Sequence, residues 1–205
     1  AVMAIARSAG LLSNLVEEVK QENTNAVIID RPFDLLDGDI KGELLEEVKT
    51  HLGHIDILIN NAGILVVKPF HELTDEDFDK SFNINVKSVF RMARDLKSLF
   101  REGTHIVNIS SMGGYQGSAK FPGLAVYSAA KGAVSVLSEC LAEEFKDEGI
   151  KVNALAIGAV QTEMLAEAFP GYQAPLQPEE MADFMMDFGL NGHRFFNGKV
   201  LPVSV

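Results

Sequence analysis

Short runs rich in Val, Ile and Leu recur along the chain, separated by stretches of helical period, and this alternation limits the fold more than any other feature. Six runs, Val2–Ala6, Ala26–Asp30, Ile55–Ile59, His105–Ile109, Val152–Ile157 and Lys199–Val203, predict strands. Most are almost continuously apolar, as parallel strands covered by helices on both faces are. Between them Leu12, Leu15, Val16 and Val19 fall at i, i+3, i+4 and i+7, and Leu44, Leu45, Val48 and Leu52 make a similar stripe. Alternating βα units of this kind build an α/β fold around a parallel sheet. A long helix is predicted near 75–101, opened by Thr74 as N-cap with Asp75, Glu76 and Asp77 where the helix dipole favours negative charge. A second is predicted near 126–148, with Ala130, Ala133, Val134, Leu137 and Leu141 along it and Gly149 as its stop.

With 205 residues, 47% of them hydrophobic, the chain can bury the core of one domain, expected over 1–205. The turn-prone stretch Phe169–Pro178 falls within a lid expected at about 159–180, and Pro178 starts another helix. Eighteen Lys and Arg stand against 29 Asp and Glu, a net charge of −11, which argues against nucleic acid as a partner. No apolar run approaches the roughly 18 residues needed to span a bilayer. The single cysteine, Cys140, has no partner for an intramolecular disulfide and reads as a small buried apolar residue, and the N-terminal apolar stretch is too short for a secretion signal. A cytoplasmic protein is the expectation. Histidines 51, 54, 71, 105 and 193 lack metal-ligand spacing, so no metal site is expected, and His51 and His54 read as solvated positions near a helix end.

Four features lie where a doubly wound sheet places ligands, at the C-terminal ends of strands or on the helices that follow. Asn60-Asn61-Ala62-Gly63 follows the third run, and its small residues permit close backbone approach; an ordinary Asn/Gly turn explains it equally well. Ser110-Ser111 follows the fourth run, where a hydroxyl can donate to an oxygen that gains charge, or simply form a turn. Tyr127 and Lys131 stand at i, i+4 on one helical face, so the ammonium can stabilise a phenolate and lower the Tyr127 pKa. Asn85 is a polar amide inside an apolar stripe and needs a partner there, with Asn83 as the exposed alternative.

In this order, the Asn-Asn-Ala-Gly motif, Asn85, Ser111 and the Tyr-x-x-x-Lys pair resemble the short-chain dehydrogenase/reductase family over nearly the whole chain. The resemblance implies a Rossmann-type doubly wound parallel sheet with helices on both faces, and hydride transfer between NADP or NAD and a small-molecule carbonyl or alcohol. It implies Tyr127 as general acid or base, Lys131 as the group that lowers its pKa and binds the nicotinamide ribose, and Ser111 as the residue orienting the substrate carbonyl. Asn85 would hold a proton-relaying water, and Asn61, Ala62 and Gly63 would line the adenosine side of the cofactor. Arg7, at the end of the first run, favours NADP because a basic side chain there pairs with the 2′-phosphate. Asp34 resembles the carboxylate that hydrogen-bonds adenine, with Asp30 as alternative. The two long helices resemble the pair through which family members form homodimers and homotetramers.

Three departures qualify this. No Gly-rich turn precedes Ala1, so the family's first strand and its turn, about 25–30 residues by typical element lengths, are expected to be missing from this sequence. A chain that naturally lacked them would be a non-catalytic dinucleotide sensor or assembly subunit. Fifteen residues separate Ser111 from Tyr127 where the family has about a dozen, which reshapes the substrate entrance. Ile157-Gly158 replaces the family's Pro-Gly, while Thr162 keeps the residue expected at the cofactor's carboxamide or phosphates. Met164, Leu165, Ala168, Phe169 and Tyr172 make the lid apolar, which suits a hydrophobic substrate.

Overall fold

Each of the six apolar runs forms a strand in the computed structural model, which describes residues 1–205. They are β1 (Val2–Ala6), β2 (Ile28–Pro32), β3 (Ile55–Asn60), β4 (Phe100–Ser111), β5 (Lys151–Ile157) and β6 (Val200–Val203). The helices between them are α1 (Ala9–Glu22), α2 (Leu45–Leu52), α3 (Asp75–Phe82), α4 (Ser88–Asp95), α5 (Ala125–Glu144), α6 (Glu163–Ala168) and α7 (Pro178–Asn191). The result is an α/β fold of the Rossmann type. β1 and β2 form one sheet, and the other four strands form a second in the order β3-β4-β5-β6. The chain gathers into two compact units, the first of residues 1–55 and 91–99, the second of 56–90 and 100–205.

In the first unit β1 and β2 run parallel, in register from Val2 opposite Ile28 to Ala6 opposite Pro32. Ser8 caps α1 by accepting from the Leu11 N–H. Arg31 on β2 is paired with Glu43 and Glu47 and lies over the Phe33 ring. Phe33, Ile40, Leu44, Val48, Met92 and Leu96 are buried here, whereas Val2 is exposed and Met3, Ala4 and Ile5 are half-buried. Thus β1 lacks the cover on both faces that its apolar sequence predicts; in a two-stranded sheet each strand keeps one unpaired edge.

In the second unit β4 and β5 are parallel from His105 opposite Lys151 to Ser111 opposite Ile157, and β6 continues the sheet from Val200 opposite Ala154. Val107, Ile109, Leu155 and Phe188 form a buried cluster under Ile157, Met185, Leu201 and Val203. Helix α5 packs on β4 and β5, and α7 packs on β4. Buried polar groups cross-link these layers: Asn60 Nδ2 donates to Asn108 Oδ1 at 2.8 Å, Asn108 Nδ2 to Ser138 Oγ at 2.8 Å, and Ser138 Oγ to the Val134 carbonyl at 2.7 Å. Such a chain leaves few ways to slide α5 along the sheet without stranding a buried donor.

The helix predicted over 75–101 is interrupted. Thr74 caps α3 in a reciprocal capping box with Asp77, as the sequence predicts, but residues Asn83–Lys87 widen into a π turn before α4 resumes. A short 3₁₀ turn at Lys97–Leu99 then leads into β4, which starts at Phe100 and so takes the last residues assigned to the helix. The π turn is centred on Asn85, whose side chain bonds outside its own helix. The second long helix ends at Glu144, short of the expected 148, because Phe145 leaves the helical path; a 3₁₀ turn at Lys146–Glu148 follows, and it is this turn that Gly149 stops, in the left-handed region at φ +73°. Cys140 is exposed on α5 rather than buried, because it lies off the face that carries Val134, Ser135 and Ser138 inward.

Candidate active site

The C-terminal end of β4 delivers two serines with different tasks. Strand alternation turns Ser110 toward α5, where its buried hydroxyl donates to the Lys131 carbonyl at 2.8 Å and meets Ser135 Oγ at 2.9 Å. Ser111 faces the other way, half-buried, accepts from the Gly113 N–H at 3.1 Å and is hydrogen-bonded to Tyr127. Ser111 and Tyr127 are therefore brought together, as the sequence predicts for a pair acting on one oxygen.

Lys131 is 5% exposed, and its Nζ donates to the Ile109 carbonyl at 2.7 Å while lying 5.9 Å from the centre of the Tyr127 ring. Burial lowers its pKa to about 8. The one-face geometry of the i, i+4 pair is present, but the expected lowering of Tyr127 is not. Burial pushes the Tyr127 hydroxyl above its ordinary value, with the Ser111 hydrogen bond opposing that rise. The ammonium sits off the ring and spends a donor on Ile109, and so does not hold the phenol oxygen.

Asn85, 1% exposed, accepts from the Ile64 N–H at 3.1 Å and donates to the Ile64 carbonyl at 3.0 Å and to Ser81 Oγ at 3.3 Å. This ties the segment after β3 to the π turn. Gly63 is pressed into the same corner: a Cβ there would lie 2.8 Å from Asn85 Oδ1 and 3.4 Å from Lys131 Nζ. Gly63 therefore lies beside the lysine end of the site, while Asn61 and Ala62 are exposed just before it. The Lys131 ammonium keeps donors beyond the one spent on Ile109, and the hydroxyls of a ribose accept such donors, so the chemistry present fits such a group.

The other expected cofactor residues have mixed surroundings. Thr162 caps α6 by accepting from the Leu165 N–H at 3.3 Å, and a Cβ on Gly158 would meet Ser204 Cβ at 2.6 Å. Both positions thus have local structural reasons for their residue type. In the first unit Arg7 is exposed and makes no ion pair or hydrogen bond, while Asp34 Oδ1 accepts from the Leu36 N–H at 2.7 Å. Gly114, which the sequence reading passes over, proves important: a Cβ there would sit 2.5 Å from the Gly132 nitrogen and 2.6 Å from the Lys131 carbonyl carbon. Its spacing from Ser111 and the matching Gly132 one residue after Lys131 were the available signals.

Comparison with known proteins decides the family. A profile described as short chain dehydrogenase matches residues 1–173. The chain belongs to that family. Within the short-chain dehydrogenases it is 34% identical over 166 residues to versicolorin reductase 1 of Aspergillus parasiticus, covering 80% of this chain and 61% of that protein. It is 35% identical over 166 residues to carbonyl reductase [NADPH] 2 of Sus scrofa, covering 80% and 63% respectively. The chain thus spans about three fifths of the length of the curated relatives it matches. Among solved structures, a dehydrogenase/reductase from Sinorhizobium meliloti superimposes with a TM-score of 0.84 at 29% identity, over 99% of this chain and 83% of that one. A short-chain dehydrogenase from Burkholderia cenocepacia in complex with NADP gives a TM-score of 0.85 at 25% identity, over 99% and 85%. No helix is long and apolar enough to cross a membrane.

Proposed function

We propose that this short-chain dehydrogenase is an NADP-preferring reductase of hydrophobic carbonyl compounds, running in reverse as an alcohol dehydrogenase. The observation that carries the reading is the Ser111–Tyr127 hydrogen bond set beside a buried Lys131. The dinucleotide supplies or accepts the hydride. Tyr127 would give its phenolic proton to the substrate oxygen as charge develops there, and Ser111, released from its hydrogen bond with Tyr127, would donate its own hydroxyl to the same oxygen. Lys131 would bind the nicotinamide ribose; its ammonium is held on the Ile109 carbonyl, with its Nζ 5.9 Å from the centre of the Tyr127 ring. Asn85 keeps Gly63 and Ile64 in place beside that charge and would hold a relay water at the π turn.

Arg7, with no partner of its own, suits the 2′-phosphate of NADP, whereas Arg31 is already neutralised by Glu43 and Glu47. Asp34 would meet the adenine, Asn61, Ala62 and Gly63 would line the adenosine side of the cofactor, and Gly158 and Thr162 would lie at its carboxamide or phosphates. Exposed Met164 and Tyr172 in the 159–180 stretch support an apolar substrate. A groove of about 330 Å³ lined by Phe82 on α3, Val86 in the π turn, Phe90 on α4 and Leu137 on α5 supports a homodimer or homotetramer, and a cytoplasmic setting fits these readings.

The test is to titrate NADPH and NADH into the protein by fluorescence, then assay wild type and Tyr127→Phe with hydrophobic ketones. Tighter NADPH binding and a 10²- to 10⁴-fold fall in kcat, with NADPH affinity unchanged, are expected, a range typical of losing a general acid. Equal turnover in the variant overturns the assignment of Tyr127; failure to bind either dinucleotide overturns the reductase reading and favours an assembly role.

A further inference from the structure

Arg91, on α4, does something none of the roles above requires. Its guanidinium donates to three backbone carbonyls of one loop, those of Leu35 at 2.8 Å, Leu36, and Gly38 at 2.7 Å. The loop is the one that follows β2 and carries Asp34. Three carbonyls converging on one cation is a specific arrangement, because only the planar fork of arginine presents several donors in fixed directions. Arg91, Asp34 and the loop all belong to the first compact unit.

The consequence runs through peptide geometry. In a planar trans peptide the carbonyl of one residue and the N–H of the next point in opposite directions. Holding the Leu35 carbonyl on Arg91 turns the Leu36 N–H the other way, and that N–H donates to Asp34 Oδ1 at 2.7 Å. The Asp37 N–H reaches the same oxygen at 3.4 Å, and the Gly38 N–H closes the turn on the Asp34 carbonyl at 2.8 Å. One carboxylate oxygen is thus occupied by the loop itself, which fixes the direction of the other, Oδ2. Phe33 and Gly38 lock the turn from inside, since a Cβ on Gly38 would lie 2.3 Å from the Phe33 ring.

We propose that Arg91 is a positioning residue that orients the Asp34 carboxylate for the adenine end of the dinucleotide, acting through the Leu35–Leu36 peptide rather than by touching the ligand. This rests on the reading of the chain as a dinucleotide enzyme and of Asp34 as its adenine contact. Lysine at position 91 would keep the charge but could not fork three carbonyls. The loop would then lose the constraint on Asp34 while α4 stays intact.

The probes are NADPH, adenosine 2′,5′-bisphosphate, which carries only the adenine end, and reduced nicotinamide mononucleotide, which lacks it. Arg91→Lys is expected to weaken NADPH and the bisphosphate about tenfold and to leave the mononucleotide unchanged. Asp34→Asn is expected to produce the same pattern without disturbing Arg91. In the Asp34→Asn background, Arg91→Lys should have little further effect, because both changes remove one interaction. Additive losses, equal weakening of all three probes, or unchanged NADPH affinity in Arg91→Lys would each overturn the proposal. Wild type that binds no NADPH removes the underlying dinucleotide reading as well, which separates that failure from the failure of Arg91 alone.

Discussion

The Asn85 carboxamide holds both backbone polar groups of Ile64, accepting from its N–H at 3.1 Å and donating to its carbonyl at 3.0 Å. In effect the side chain of a π turn pairs with the segment after β3 as a neighbouring strand would. Removing it leaves two backbone groups without partners and a hole in a buried corner. Asn85→Ala is expected to destabilise the protein by about 2–4 kcal/mol, the range for an orphaned buried pair plus lost packing. Urea unfolding with an unchanged m-value would show this; a loss below about 0.5 kcal/mol would mean that Ile64 finds other partners.

Gly114 and Gly132 let the turn after β4 press onto α5 at Lys131. A Cβ at 114 meets backbone atoms at 2.5 and 2.6 Å, which cannot rotate away. Gly114→Ala is therefore expected to cost about 1–3 kcal/mol by overpacking, and to lower kcat because the strain falls on the turn that carries Lys131. Gly10→Ala is the control, since nothing lies within 4 Å of its added methyl and the position is helical. Thermal melts should show the first variant lowered and the second unchanged or raised.

Lys131 should leave a signature in stability against pH. Its pKa is about 8 in the folded chain against 10.5 for an ordinary lysine. Between those values the unfolded chain binds a proton that the folded chain does not, so stability from this group rises with pH. The ammonium's burial penalty is fully present below about pH 8 and is relieved above it. Over pH 8 to 10 this amounts to about 2 kcal/mol, from about 1.4 kcal/mol per pKa unit. Lys131→Met should lack that rise in denaturant unfolding followed across the same range. Parallel curves for the two proteins would show that Lys131 keeps its ordinary pKa.

Most of this architecture is legible in the sequence, and where it is not the reasons are physical. The apolar runs fix the strands because buried parallel strands tolerate few polar residues, although β2 lies two residues later than Ala26–Asp30 and β4 starts five before His105. Tyr127, Ser111 and Asn85 announce themselves by order and spacing, and the structure gives each a partner in the second unit. The break in the 75–101 helix is not legible, since the π turn depends on Asn85 finding Ile64, 21 residues away. Nor is the rise in the Tyr127 pKa, because spacing puts Lys131 on the right face without showing that its ammonium is drawn to Ile109. Arg91 reads as one more helix charge until the loop it grips is seen.

His105, midway along β4, makes the last prediction one about acid. Its Nδ1 lies 3.0 Å from the Gly189 carbonyl, which only accepts, so Nδ1 carries the hydrogen and the neutral Nε2 accepts from Asn153 Nδ2 at 3.1 Å. Asn153 cannot flip to serve a protonated ring: its Oδ1 takes the Lys199 N–H at 3.1 Å and its Nδ2 also donates to the Phe196 carbonyl at 3.1 Å. Burial pushes the His105 pKa below 6.5, and the neighbouring His193 ring, 5.6 Å away, adds to this. As pH falls below 6.5 the unfolded chain takes up a proton more readily than the folded chain does, so this group's contribution to stability drops toward acid pH. His105→Leu should be less stable than wild type at pH 7.5, because Gly189 and Asn153 lose a partner, yet lack this part of the slope between pH 6.5 and 5. If urea unfolding gives the two proteins the same slope, another group governs their acid sensitivity and His105 is protonated without cost.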